Sequence, residues 1–105
     1  SNRRGPRGAK NVMIIGAGEA GRALIREIGN RGLVNNKVVC LIDDNMAKKH
    51  RILEGIPIVG GRDDILSNVE KYQIEKIFLA IPSASALERK EILEICKNSL
   101  TCGKS

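Results

Sequence analysis

At 105 residues, 42% of them hydrophobic, the chain is long enough for one domain with a modest core and too apolar to be a disordered segment. No apolar run approaches the roughly 18 residues needed to span a bilayer. The net charge of +6 suggests nucleic acid until it is located: Arg3, Arg4, Arg7 and Lys10 carry four of those charges and leave the remainder at +2. With Tyr72 and Phe78 as the only aromatics, base stacking is poorly served, and nucleic acid is not an expected partner.

Residues 1–10 read as a basic linker. Ser1-Asn2 matches the remnant of a cleaved tag, and the arginines suit either a solvated linker or a juxtamembrane segment on the cytoplasmic side. The folded domain is expected over 11–103. Its first strand, residues 11–15, is the apolar run ending Val12-Met13-Ile14-Ile15. Gly16-Ala17-Gly18-Glu19-Ala20-Gly21 follows and completes G-x-G-x-x-G. In that pattern the first glycine permits a tight turn, the second lets backbone approach a pyrophosphate, and the third lets the helix pack on the strand. A helix over 19–29 presents Ala20, Leu24, Ile25 and Ile28 on one face, and Gly29-Asn30-Arg31-Gly32 ends it. Its positive dipole end faces whatever anion the loop holds. Glu19 counts against binding unless its carboxylate points away.

Val38–Ile42 is the second strand, ending in Asp43-Asp44-Asn45. Asp43 lies 22 residues beyond Gly21. An acidic side chain there can accept ribose hydroxyls and favours NAD over NADP; Asp44 is the second choice. An Asp-Asp-Asn turn that merely closes a strand is the alternative. Residues 46–55 are polar and read as irregular, and Lys48, Lys49, His50 and Arg51 are more in keeping with a solvated loop than with a 2′-phosphate site. Ile56–Val59 is a third strand, with Pro57 suited to an edge. Gly60-Gly61 leads into a helix with apolar positions Ile65, Leu66 and Val69 and with Asp63 and Asp64 in its first turn.

Ile77–Ile81 is the fourth strand, a continuous apolar run of the kind that parallel sheets bury on both faces. Pro82 and Ser83 follow it at the sheet edge that also carries the glycine loop, and Ser83 is a candidate donor to a phosphate or ribose. Ser85-Ala86-Leu87-Glu88 is a capping box, opening a helix to about Asn98. Tyr72-Gln73-Ile74-Glu75-Lys76 has the Y-x-x-x-K spacing of short-chain dehydrogenases but falls at the opposite, amino edge of the sheet and is read as coincidence. No catalytic residue is assigned. Cys40, Cys96 and Cys102 lack C-x-x-C spacing and His50 is the only histidine, so neither a disulfide framework nor a multi-histidine metal site is expected.

The expected fold is α/β: a Rossmann-like, doubly wound parallel sheet of about four strands in the order 3-2-1-4. Four strands is short for a complete dinucleotide fold, which suggests a single domain excised from a longer protein.

The run Asn11 to Arg22, with Leu41–Asn45, Gly55–Gly61, Ala80–Ser85 and Arg89–Leu93, resembles the cytosolic domain of CapD-like polysaccharide biosynthesis proteins, the membrane-bound nucleotide-sugar 4,6-dehydratase/epimerase family. The resemblance spans about residues 10 to 100. It implies a nucleotide-binding accessory domain between N-terminal membrane helices and a C-terminal catalytic domain, at the cytoplasmic face of the membrane. By that pattern Gly16, Gly18, Gly21 and Asp43 belong to the nucleotide-binding loop and strand end. NAD is the leading ligand, with NADP, CoA or a nucleotide sugar as alternatives and a homo-oligomer among the expected assemblies. Similar domains precede membrane-bound sugar-phosphate transferases. A Rossmann-shaped assembly domain without ligand is the competing reading.

Overall fold

Strand β1 (Lys10–Ile15) occupies the middle of the sheet in this computed structural model, which describes residues 8–30 and 35–102. Its apolar run is buried on both faces, with Val12, Met13 and Ile14 at 0% exposure. A strand so enclosed needs partners on both edges. β1 pairs in parallel with β2 (Asn36–Ile42) on one side and with β5 (Lys76–Leu79) on the other. β4 (Ile56–Gly60) extends the sheet beyond β2, also in parallel. The two-residue strand β3 (Ile52–Leu53) closes that side by antiparallel pairing with β4.

The full order is β3-β4-β2-β1-β5. The expected 3-2-1-4 is present as β4-β2-β1-β5, with β3 an addition. Residues 46–55, read from sequence as irregular, in fact hold a 3-10 turn at Met46–Lys48, strand β3 and the turn that joins β3 to β4 in a hairpin. Asn45 caps the turn by accepting the Ala47 N–H at 3.1 Å. In the hairpin, Glu54 and Gly55 take φ of 52° and 81°, the two positive values that a tight two-residue loop between twisted strands requires. Glu54 then accepts Arg22 Nη1 at 2.7 Å and Arg26 Nε at 3.2 Å, which ties the hairpin to helix α1 (Glu19–Asn30).

Side-chain alternation divides the core into two layers. Val12, Ile14, Leu41 and Ile58 face α1 and pack with Ile28, Leu24 and Ile25. Met13, Ile15, Cys40 and Ile42 face α2 (Ile65–Lys71) and α3 (Ala86–Cys102), where Ile65, Val69, Ile92 and Cys96 meet them. Burial pushes the Cys40 thiol up to about 12 and the Cys96 thiol up to about 11, so both behave as small apolar side chains.

Some boundaries differ from the periodicity. β5 ends at Leu79 rather than Ile81, although the Ala80 N–H still reaches the Ile15 carbonyl at 2.8 Å. Leu66 is 44% exposed while Ile65 and Val69 are buried. β1 takes in Lys10, which the sequence assigned to the linker. The rest of that linker through Arg7, the Arg31-Gly32 part of the helix stop and the domain's final residue at 103 lie outside the described residues.

The α3 capping box is reciprocal: the Glu88 N–H donates to Ser85 Oγ at 3.1 Å and the Ser85 N–H to Glu88 Oε1 at 3.1 Å. Ser85→Ala should lower stability by about 1 kcal/mol, read as a shift in the urea midpoint without change of slope.

Candidate functional site

Strand order reverses at β1: the chain proceeds to β2 and β4 on one side, then crosses to β5 on the other. Reversal splays the loops apart at the carboxyl ends of the strands and leaves a crevice between them, where open α/β sheets bind ligands. The glycine loop, Asp43-Asp44 and Pro82-Ser83 all arrive at that edge.

The three motif glycines have different reasons to be glycine. Gly16 has φ +118°, and a Cβ there would overlap the Ala80 carbonyl. A Cβ on Gly21 would overlap the Gly16 carbonyl. At Gly18 nothing lies within 4 Å of where a Cβ would stand. Gly16 and Gly21 are therefore required by the protein's own packing, while Gly18 faces open space. The first helical bond of α1 runs from the Arg22 N–H to the Gly18 carbonyl at 2.9 Å. The amides of Gly18, Glu19 and Ala20 consequently stand outside the helix ladder, at its positive end. Glu19 is directed to solvent: its side chain is 93% exposed and lies 3.9 Å from Arg22 Nε. The obstacle that its carboxylate posed to an anion is thereby removed.

Asp43 turns toward the loop. Its Oδ2 accepts the Ala17 N–H at 3.0 Å, its Oδ1 accepts the Asn45 N–H at 2.9 Å, and Lys48 Nζ lies 3.5 Å from Oδ2. Burial works against ionisation here, but the Asn45 and Ala17 amides and the Lys48 ammonium outweigh it and hold the carboxyl below the usual carboxylate range. Lys48 also donates to the Ala17 carbonyl at 3.2 Å. Of the basic stretch 48–51, then, Lys48 is built into the loop rather than directed to solvent.

Asp44 engages Arg62. Its Oδ1 accepts the Arg62 N–H at 2.7 Å and its Oδ2 accepts Arg62 Nε at 2.8 Å. The guanidinium also faces Glu91 Oε1 at 3.3 Å and Glu88 Oε2 at 3.8 Å. The hydrogen bond to Asp44 outweighs desolvation and, with the charges of Asp44, Glu91 and Glu88, raises the Arg62 pKa, so the guanidinium stays charged.

These groups border a cleft of about 250 Å³. Ile15, Ile42, Ile81 and Ile92 supply apolar walls, and Gly16, Asp43, Asp44, Pro82 and Ser83 lie on its lining. Of the residues singled out from sequence, those five meet in the cleft, while Gly18, Glu19 and Ala20 stand on the adjoining shoulder of the loop and Ala17 and Gly21 form its packed underside. Sequence reasoning missed Arg62 as a site residue and took Glu88 only as a cap. The available signal was that Arg62 follows β4 at the same carboxyl edge. The Tyr72/Lys76 pair lies at the far edge, where Asn11 Nδ2 donates to the Tyr72 carbonyl at 3.0 Å.

Among the described residues no group of His, Cys, Asp or Glu is placed to hold a metal ion, and no helix is long and apolar enough to cross a membrane.

The chain is 31% identical over 88 residues to the probable polysaccharide biosynthesis protein EpsC of Bacillus subtilis (strain 168), covering 84% of this chain and 15% of that protein. It is 35% identical over 88 residues to the capsular polysaccharide biosynthesis protein CapD of Staphylococcus aureus, covering 83% of this chain and again 15% of the relative. The chain thus spans about 15% of the length of these relatives. A crystal structure of UDP-D-quinovosamine 4-dehydrogenase from Vibrio fischeri superposes with a TM-score of 0.78 at 30% identity, covering 87% of this chain and 72% of that one. RSP, a Rex-family repressor, in complex with β-NADH superposes with a TM-score of 0.64 at 19% identity over 81% of this chain and 40% of that one, which is a likeness of fold alone. The fold is Rossmann-like, as these superpositions and the strand order agree. Residues 2–101 match the family described as the CoA-binding domain, and the chain belongs to that family.

Proposed function

We propose that this chain is a nucleotide-binding accessory domain of a larger polysaccharide biosynthesis protein, taking NAD(H) or a nucleotide sugar by its diphosphate. In this reading the diphosphate lies against the Gly18–Ala20 amides and the nucleoside enters the cleft between Asp43-Asp44 and Pro82-Ser83. Catalysis belongs to another domain of the parent, a membrane-bound NAD-dependent nucleotide-sugar 4,6-dehydratase or epimerase working at the cytoplasmic face. That catalytic domain, and the parent's membrane helices, are the proposed partners. NADP and CoA are the alternative ligands.

The observation that carries the reading is the contrast among the three glycines. Packing accounts for Gly16 and Gly21 and for nothing at Gly18, where the absence of a side chain leaves room for a ligand to reach backbone. Titration calorimetry with NAD, NADP, CoA and UDP-N-acetylglucosamine tests it. Gly18→Val should cost only about 1 kcal/mol of folding stability, as an apolar residue at the N-cap of α1, yet abolish the heat of whichever ligand binds. Silence from all four ligands overturns the proposal.

A second reading, a Rossmann-shaped assembly domain without ligand, draws on Asp43. Its carboxylate is engaged by Ala17, Asn45 and Lys48, contacts that serve the loop whether or not a ribose is present. The same calorimetry separates the two readings.

A further inference from the structure

Building on the membrane-face part of the reading above, but not on an occupied cleft, we infer that the amino edge of the sheet rests on a surface of anionic lipid headgroups. Lysines mark that edge from one side to the other. Lys37 is the second residue of β2, Lys10 the first of β1 and Lys76 the first of β5. Lys71 ends α2, and Lys97 borders a hollow with Ile77 near the start of β5. In sequence, Arg3, Arg4 and Arg7 lead directly into β1, and Arg31 stands between α1 and β2. These nine basic residues meet only three acidic ones, Glu27, Glu70 and Glu75, in the same segments. The surplus equals the chain's whole net charge of +6, so the side chains of the rest of the molecule, the cleft included, cancel.

The cations are also engaged differently at the two ends. Away from the amino edge, Arg22 and Arg26 pair with Glu54, Lys48 with Asp43 and Arg62 with Asp44, while Arg89 donates to the Ile81 carbonyl at 2.9 Å. Among the described residues Lys10, Lys71, Lys76 and Lys97 enter no ion pair; Lys71 lies over the Tyr72 ring, 5.4 Å from its centre. An ammonium is a compact charge on a flexible stem, and several spread along one edge suit a plane of many anionic headgroups better than one fixed ligand. Nucleic acid is poorly served, because Tyr72 is the one aromatic at this edge and a single ring gives little stacking. β1 is six residues long, which sets the two edges of the sheet about 20 Å apart. With the amino edge on lipid, the cleft opens away from the membrane, on the side from which a dissolved nucleotide arrives.

Co-sedimentation of this chain with vesicles tests the orientation, using phosphatidylcholine alone against phosphatidylcholine with about 30% phosphatidylserine. The chain should bind the anionic vesicles and not the neutral ones, and should be released between about 50 mM and 500 mM salt. A basic residue close to such a surface contributes about fivefold in partitioning. Lys10→Gln/Lys76→Gln/Lys97→Gln should therefore weaken binding by about tenfold to a hundredfold. Lys49→Gln/Arg51→Gln/Lys90→Gln removes the same charge elsewhere and should weaken it by no more than about threefold. Equal losses in the two triple variants, or no preference for anionic vesicles, overturn the inference. So does binding that Arg3→Gln/Arg4→Gln/Arg7→Gln abolishes and the lysine variant leaves intact, because the leading segment alone would then suffice. Binding to polyglutamate without binding to vesicles overturns it as well and gives this edge to an acidic protein surface. No nucleotide enters the measurement, so each of these outcomes leaves the nucleotide reading standing.

Discussion

Gly16→Ala should destabilise the domain by about 3 kcal/mol or more, a fall in melting temperature of roughly 12–24 °C for a chain of this size. Two costs combine. The residue holds φ +118°, which an L side chain rarely adopts, and the new methyl would overlap the Ala80 carbonyl, a main-chain atom that cannot rotate away. Ala80 is itself fixed by its N–H bond to the Ile15 carbonyl at 2.8 Å, and the Gly16 N–H is fixed to Ile42 at 2.7 Å. Relief must therefore come from parting β1 and β5 at the crevice. Gly29→Ala is the control: it lies in α1 with nothing within 4 Å of the added methyl, and should stabilise by about 0.5–1 kcal/mol. Thermal unfolding of both variants beside the parent decides the matter. Equal effects at Gly16 and Gly29 would mean that the loop does not hold this conformation.

Asp43→Asn should cost about 2 kcal/mol and change the acid limb of the stability profile. Asparagine is nearly isosteric, but one of its two terminal atoms becomes a donor aimed at the N–H of Ala17 or Asn45, and Lys48 loses its counter-charge. The sign with pH follows from the direction of the shift. Asp43 is held below the usual carboxylate range in the folded protein, so its contribution is fully present above its unfolded value near about 4 and is lost as pH falls through the lowered folded value. The parent and the variant should thus differ most at neutral pH and converge in strong acid, as read by urea midpoints taken between about pH 7 and pH 2. A constant difference across that range would show that Asp43's charge plays no part in holding the loop.

The parts of the molecule that were legible in the sequence are those governed by local pattern. Unbroken apolar runs gave β1, β2 and β5, because a parallel strand covered on both faces has no polar side to alternate with. G-x-G-x-x-G gave the turn between β1 and α1, and Ser85 with Glu88 gave the start of α3. The order 3-2-1-4 followed from the handedness of crossovers. What escaped notice depends on contacts between distant segments. Glu54-Gly55 is not one of the dipeptides that signal a tight hairpin; it is accompanied by Arg22 and Arg26, 32 and 28 residues away in sequence. Leu66 keeps helical spacing with Ile65 and Val69 yet faces outward, since a seven-residue helix needs only one narrow apolar stripe.

Asp43 is the instructive case. Its position at the end of β2 was read correctly, but the sequence could not say which way the carboxylate turns. Its direction is set by the Ala17 and Asn45 amides, one reached across the sheet edge and one two residues on. Arg62 escaped for a similar reason, since its three carboxylates come from the end of β2 and from α3.

The tether between α1 and the β3–β4 hairpin has a bearing on how this domain would meet its ligand. Because Glu54 occupies Arg22 and Arg26, no mobile guanidinium of α1 is left to reach across the glycine turn. Attraction at that corner falls to fixed groups: the peptide dipoles of the loop and the Lys48 ammonium, anchored on the Ala17 carbonyl and Asp43. In the reading proposed above, a corner built that way would meet a diphosphate with groups already in place rather than with a side chain that must reorganise to reach it.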